Sequence, residues 1–511
     1  MSVSVVAQLV VLGLLAVVLN RFVQSRRVNP QQLPYPPGPK PLPIIGNALQ
    51  VPAGASWLTY TQWQKHYGDL IHIRVFGTHV VVVNSAKIAN DLFEKRSNKY
   101  SDRPDIPMVD LLGWDFNIAL MRYGEKWRRN RRLVHQKFRY EASLRYRPIV
   151  LEKVREGLRN VLDKPEDFNL HLRHIAASII MSVTYGYEVN PKEDRFVTIA
   201  EEATEMLVNA LLPGSMLANS FPILLRLPEW LPGMGFKAYA RKCFGMTTEM
   251  KENPFTFVKQ RMAAGTATPC VTSDLLEGID TTGDVENQEA LIKGVSAMVY
   301  SAGADVSVSA MTTAILAMVL HQEAQKRAQV EMDLVVGRNR LPDFGDRDSL
   351  PYVEAFFRET IRWRQATPMT VAHAASEDDV YEGYYIPKGP SFIPRAMLHD
   401  ERVYKDPEMF RPERFLNNDG TVNDDYPMLS FGFGRRICAG RALADAEVWL
   451  AVASVLAVFD VTKAKDASGC QIEVEVKYSE GLVSHPLPFA CSIAPRGEDA
   501  ARLIRETDAT A

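Results

Sequence analysis

Cysteine is scarce in this sequence and shows no pairing pattern. The five among 511 residues, Cys243, Cys270, Cys438, Cys470 and Cys491, are widely spaced with no CxxC, which excludes a disulfide framework and indicates a reducing compartment. Asn-x-Ser/Thr acceptors are absent, in keeping with a body that never enters the secretory lumen. Neither sign of charge prevails: 59 basic side chains stand against 61 acidic ones, a net charge of −2, so no whole-surface nucleic-acid footprint exists and no nucleic-acid partner is expected. Repeats and low-complexity tracts are missing too. With 46% hydrophobic residues the chain is neither disordered nor collagen-like, and it is long enough to bury a core with room for a cofactor.

What is present begins with an apolar run. Residues 3–19, VSVVAQLVVLGLLAVVL, are followed by Arg21, Arg26 and Arg27. A membrane-crossing helix needs about 17 to 25 such residues. No basic segment precedes the run and no small-x-small site follows it, so it reads as a retained anchor rather than a cleaved signal. Basic residues on its C-terminal side place the body in the cytosol. Next, LPYPPGPKPLPIIGN carries Pro34, Pro36, Pro37, Pro39, Pro41 and Pro43, which fix backbone angles and withhold N–H donors, so neither helix nor sheet continues there. The segment is either a stiff strut holding the body over the bilayer or an ordinary linker. The expected organisation is an anchor at 1–25, a strut at 26–46, one large domain at 47–495 and a polar tail at 496–511.

Alternating or β-branched stretches predict strands at 71–75, 80–83, 380–387 and 471–476. Helical periodicity covers 290–321, 323–335, 352–363 and 440–459, among others. The fold class is mainly α with small peripheral β-sheets.

The strongest chemical signal is FGFGRRICAG, residues 431–440. Phe431, Gly434, Arg436, Cys438 and Gly440 at these offsets should coincide by chance in on the order of one chain in ten thousand. Gly432 and Gly434 allow a tight loop whose N–H groups point at a sulfur. Cys438 precedes a helix start, where the macrodipole favours an anion and lowers a thiol pKa. Arg436 supplies a cation suited to a cofactor carboxylate.

This loop resembles the haem-binding signature of the cytochrome P-450 superfamily, and the resemblance covers most of the chain, from the anchor and the proline segment to about Pro495. It implies the cytochrome P-450 fold, a haem cofactor with Cys438 as axial thiolate, and monooxygenation, because a thiolate pushes electron density through iron and favours O–O cleavage. Glu359 and Arg362 resemble the ExxR element, and Arg414, in PERF, the arginine that joins it. The i, i+3 spacing puts Glu359 and Arg362 on one helix face, able to meet Arg414 in a buried structural network. Trp127 and Arg131, at i, i+4, resemble a haem-propionate clamp, with His373 as a third donor by the same resemblance. Lys126, Arg128, Arg129 and Arg132 form a basic face, either plainly solvated or suited to an acidic electron donor. By the resemblance that donor is a separate NADPH-dependent flavoprotein reductase.

Residues 294–320 read as one buried helix, rich in small residues around Ala302, Gly303 and Ala304. It resembles the oxygen-binding groove, where Gly303 would allow a local opening. The sequence departs from the family at Val306, which stands where the threonine is usual. Ser307 lies one residue, or about 100° of helix rotation, further on. Either Asp305 delivers protons through water or the substrate offers its own hydroxyl, and the departure leaves open a rearrangement or dehydration without net oxygen insertion. By the same resemblance, residues 211–235 lie against the membrane as an entrance, plain core packing being the alternative, and the apolar stretches near 106–114, 367–371 and 482–485 line the pocket, which implies a lipophilic small molecule arriving from membrane lipid. The expected enzyme is a single-pass protein of the endoplasmic reticulum membrane, most like fungal members serving secondary metabolism. The competing readings are a haem-thiolate isomerase or dehydratase and a non-catalytic haem sensor or carrier.

Overall fold

The computed structural model describes residues 29, 31–52, 54–212, 214–389, 391–394 and 397–507. The expected anchor at 1–25 lies outside them. The longer helices are α1 (Ser56–Tyr67), α2 (Glu125–Phe138), α3 (Arg147–Asp163), α4 (Phe168–Tyr185), α5 (Arg195–Leu211), α6 (Phe236–Ala263), α7 (Val285–Leu320), α8 (Gln322–Val335), α9 (Pro351–Trp363), α10 (Arg441–Val458) and α11 (Glu498–Glu506).

Helix α7 organises the body. It starts where the Asp284 carboxylate accepts the Asn287 N–H at 3.0 Å, capping an otherwise orphaned donor. Its 36 residues then run about 54 Å, packed against α4, α6, α9 and α10. It is long and apolar enough to cross a bilayer, yet most of that stretch is buried inside the protein, so its hydrophobicity belongs to the core. Gly303 does not open the helix. A Cβ there would lie 2.7 Å from Ile180 Cδ1 of α4, so the glycine serves close helix packing and α7 continues through it.

The strands are peripheral. In the main sheet, β1 (Leu70–Val75) and β2 (Thr78–Val83) form a hairpin. Phe76 and Gly77 turn it at φ 48° and 87°, the positive angles that a two-residue hairpin turn requires. Strand β6 (Ser391–Pro394) lies parallel to β2, and β3 (His373–Ala374) closes the sheet antiparallel to β6, giving the order β1-β2-β6-β3. The stretch expected as one strand at 380–387 is instead a hairpin, β4 (Asp379–Tyr381) and β5 (Tyr384–Ile386), split by Glu382 and Gly383. A third pair, β7 (Phe459–Lys463) and β8 (Cys491–Pro495), follows α10. Residues 471–476 form no strand, because Ile472 and Val476 stay exposed and only Gln471 bridges to Lys465.

The tail differs from expectation: α11 docks on α3 with Ile504 fully buried. The proline segment is docked as well. Pro34 O accepts from Tyr385 N–H at 2.8 Å and Pro37 O from His72 N–H at 3.0 Å. The Tyr35 ring stacks on His72 and His79, 4.7 and 5.1 Å away. Those two imidazoles share a 2.8 Å hydrogen bond.

Candidate active site

The loop that precedes α10 is set by its glycines. Gly432 takes φ 84° after the short helical turn Met428–Phe431. Gly434 takes φ 51° with its Cα pressed to the chain, so that a Cβ would sit 2.0 Å from Phe93 O. Its N–H donates to Glu94 Oε1 at 2.5 Å, and Phe433 packs on Phe93 with ring centres 5.5 Å apart. The loop closes when Cys438 N–H donates to Phe431 O at 2.8 Å, three residues before α10 begins.

Burial pushes the Cys438 thiol up, while the Gly440 N–H and the charges of Arg131 and Arg441 pull the other way. The sequence-based expectation of a lowered thiol pKa is therefore reversed, because desolvation outweighs the helix start and the two arginines. A bound metal cation is the kind of charge that would reverse it again. Although crowded enough for burial to govern its titration, Cys438 has an open surface.

Three arginines converge beside this loop. Arg436 donates to the carbonyls of Ser101, Ile118 and Met121 at 2.7, 3.0 and 2.9 Å, and its guanidinium lies 4.3 Å over the Trp127 ring. Arg131 donates to Ile437 O at 2.7 Å. Arg103, 5% exposed, donates to the carbonyls of Ala119, Val371 and Ala372. Among the described residues none of the three is paired with a carboxylate. The nearest, Asp102, is taken by Arg122 and by the N–H groups of Tyr123 and Arg103. Desolvation accordingly pulls all three pKa values down, Arg436 to about 10. Desolvated cations without counter-charges are costly, Arg103 above all because it is the fully buried one. A planar cofactor carrying carboxylates at its edge and a metal at its centre fits this donor set: a sulfur ligand on one side and unneutralised guanidiniums on the other.

Trp127 Nε1 donates to Ile118 O at 3.1 Å, a carbonyl it shares with Arg436. His373 is buried, and its Nδ1 lies 2.8 Å from Tyr100 O. Burial and the Arg103 charge hold it well below the usual histidine range. The Tyr100 carbonyl engages Nδ1 and leaves Nε2 as the other ring nitrogen. Arg103 escapes motif reading, since SDRPD carries no helical spacing. Its one signal is an arginine locked before a proline.

Behind the loop, Glu359 and Arg362 of α9 are fully buried and joined by two bonds of 2.7 and 2.9 Å. Arg414 Nε donates to the same carboxylate at 3.1 Å, and Arg411 N–H adds another bond at 2.7 Å. Arg362 also donates to Leu398 O and Pro407 O. The network is saturated, and it pins the segment around 398–414 under α9.

On α7 the two faces diverge. Gly303 and Ser307, at i, i+4, face neighbouring helices: Gly303 meets Ile180 and the Ser307 hydroxyl donates to Glu447 Oε2 of α10 at 3.2 Å. Burial pushes the Glu447 carboxyl up to about 8, and its other oxygen has no partner. Ala302, by contrast, is open in mid-helix, and Asp305 and Val306 are half-buried. Asp305 Oδ1 lies 3.1 Å from His485 Nε2. Ser307 is thus turned away from the side that Ala302 and Asp305 share.

On the exposed face of α2, Lys126 pairs with Asp115 and Arg128 with Glu125 at 2.8 and 2.9 Å, while Arg129 and Arg132 are exposed. Elsewhere, Ala55, Trp57, Val208, Leu211, Met369 and Leu482 line a small apolar cavity.

Comparison with known proteins places this geometry. The cytochrome P450 family profile matches residues 36–492. The chain is 41% identical over 507 residues to a cytochrome P450 monooxygenase of Armillaria gallica, covering 98% of each. It is 41% identical over 490 residues to cytochrome P450 monooxygenase 208 of Postia placenta, covering 94% of each. Against cytochrome P450 monooxygenase COX1 of Coprinopsis cinerea it is 38% identical over 514 residues, covering 97% of this chain and 99% of that one.

Proposed function

The chain belongs to the cytochrome P450 family and is a haem-thiolate monooxygenase, and from that premise we propose that Cys438 is the axial ligand, with Arg436, Arg131 and Arg103 neutralising the carboxylate edge of the haem. The observation that carries this is the combination of an open Cys438 with one buried and two half-buried arginines, Arg103, Arg131 and Arg436, that lack carboxylate partners. When bound, the haem supplies dioxygen activation, placing one oxygen atom in the substrate and one in water at the expense of two electrons and two protons. The protein's part is positional. Phe431 and Gly434 hold the loop, and Gly440 N–H stabilises the sulfur as an anion. The Glu359–Arg362–Arg414 network keeps the loop's support rigid. Ala302 and Val306 leave space for substrate against α7.

The finer reading is an endoplasmic reticulum enzyme, anchored once in the membrane with its catalytic body in the cytosol, that oxidises a lipophilic small molecule in secondary metabolism. Exposed Ile44, Leu49, Phe221, Ile223 and Trp230 support contact with membrane lipid. Phe221 packs on Phe76 of the β1–β2 turn at 5.4 Å, which ties this apolar surface to the docked proline segment. The cavity lined by Trp57, Leu211, Met369 and Leu482 suits an apolar guest. Arg129 and Arg132 are suited to steer an acidic, NADPH-dependent flavoprotein reductase.

The test is to supply reductase and NADPH, offer a library of lipophilic compounds, and follow labelled oxygen together with thiolate-type carbon monoxide binding. Labelled product with thiolate binding is expected. Val306 and the turned-away Ser307 favour one second reading, an isomerase or dehydratase. Thiolate binding with converted but unlabelled product would establish it.

A further inference from the structure

The apolar cavity between α1, the end of α5 and the segments around Met369 and Leu482 measures about 80 Å³, room for one end of a guest. Two of its lining side chains carry oxygen, Ser56 and Glu480. The Ser56 hydroxyl is spent on Met369 Sδ at 3.4 Å, so the side-chain acceptor left at the rim is the Glu480 carboxylate. That carboxylate lies against the chain that enters α1. Its Oε2 is so near Gly54 that a Cβ there would overlap it, and Ala55 then turns at φ 44° into α1, whose N-terminus has no side-chain cap. The positive end of this helix therefore already has a carboxylate beside it. None of the residues lining the cavity is basic. Further along, the carboxylates have partners: Asp305 meets His485 Nε2 at 3.1 Å, and Glu201 of α5 meets Arg173 of α4 at 3.9 Å. Among the described residues Glu480 joins no ion pair.

We propose that Glu480 is a specificity-determining residue that turns away free carboxylic acids and accepts a hydrogen bond from a hydroxyl, so that the substrate class is a neutral lipophilic alcohol. The proposal rests on the monooxygenase reading and on this cavity as a seat for the guest. A substrate carboxylate brought to the rim meets a like charge and no cation, and the positive end of α1 is shared with Glu480 before the guest arrives. A hydroxyl at the same place finds an ionised acceptor, the stronger kind of hydrogen bond, while the rest of the guest lies against Trp57, Leu211, Met369 and Leu482. Selectivity thus comes from repulsion of one head group as much as from attraction of the other. The cavity walls lead inward, because the Met369 segment continues to His373 and the Leu482 segment to His485, the partner of Asp305 on α7.

The experiment uses the full-length, haem-loaded chain in phosphatidylcholine nanodiscs and two photoreactive probes of equal length, dodecanol and dodecanoic acid, each with a mid-chain diazirine. Labelling of the cavity residues is mapped by mass spectrometry at about pH 8, where the acid is ionised. The ratio of alcohol to acid labelling, compared across variants, cancels the different uptake of the two probes by lipid. Wild type should be labelled in the cavity chiefly by the alcohol. Relative to it, Glu480→Gln should lower the ratio about tenfold and Glu480→Lys by more, because the lysine attracts the acid. Glu475→Gln, which removes a carboxylate paired with Lys477 on the same segment, should leave the ratio as in wild type. An unchanged ratio in Glu480→Gln and Glu480→Lys, an equal fall in Glu475→Gln, or no cavity labelling by either probe would each overturn the proposal. Failure of the monooxygenase reading is distinguishable: there wild type would lack the thiolate-type carbon monoxide band, whereas the labelling ratio needs no turnover and would still respond to Glu480.

Discussion

The cysteine loop and the middle of α7 are built to opposite standards. Around Cys438 the packing is tight and the support is tied down: Gly434 is jammed against Phe93, and the Glu359 carboxylate accepts from Arg362, Arg414 and Arg411. Along α7, Ala302 is open, Asp305 has a single imidazole partner, and Glu447 behind the helix keeps an unpartnered oxygen. The difference follows from what each region must do. A metal ligand has to stay at one distance and orientation, whereas a surface that admits substrate and moves protons needs space, water and groups that change protonation.

The contrast breaks most visibly at the sulfur. Cys438→Ser should abolish both the thiolate-type carbon monoxide band and turnover, read by difference spectroscopy and product formation. Next, Glu359→Gln leaves Arg362 buried without its counter-charge and should cost about 3 to 5 kcal/mol, measured by denaturant unfolding together with haem content.

On the α7 side, Glu447 gives a pH signature. Its folded pKa, about 8, lies above the ordinary 4.5, so the folded state binds the extra proton. Its contribution is present below the ordinary value and lost as pH rises through about 8. Unfolding scans should show Glu447→Gln flattening this decline, by on the order of 3 kcal/mol between acid and neutral pH. Gly434→Ala should cost about 1 to 3 kcal/mol, because its φ of 51° and the Phe93 carbonyl both reject a Cβ. The smallest effect belongs to the loose wall: Val306→Thr should improve the coupling of NADPH use to product a few-fold, about 1 kcal/mol or less. Unchanged coupling would show that proton delivery does not depend on that position.

Much of this architecture is legible in the sequence, wherever local pattern and tertiary outcome agree. Helix α7 announces itself by length and small residues, and the loop at 431–440 by glycines around a cysteine. The misses share one physical cause: the burial that decides an element is contributed from elsewhere. The alternation at 471–476 looks like a strand, yet no core lies beneath Ile472 and Val476. The tail looks polar, yet Ala500, Leu503 and Ile504 form a narrow apolar stripe that α3 covers. Arg103 carries no motif, and its relevance appears only when the chain brings it beside Arg436. Gly303 has a bare face whose neighbour, Ile180, is distant in sequence.

The proline segment bears on how the protein can be handled in the laboratory. Because the Tyr35 ring rests on His72 and His79 while Pro34 and Pro37 accept main-chain hydrogen bonds from the body, any N-terminal truncation should stop upstream of Asn29. A shorter version would strip a β-hairpin of its cover and leave two hydrogen-bonded imidazoles exposed to solvent.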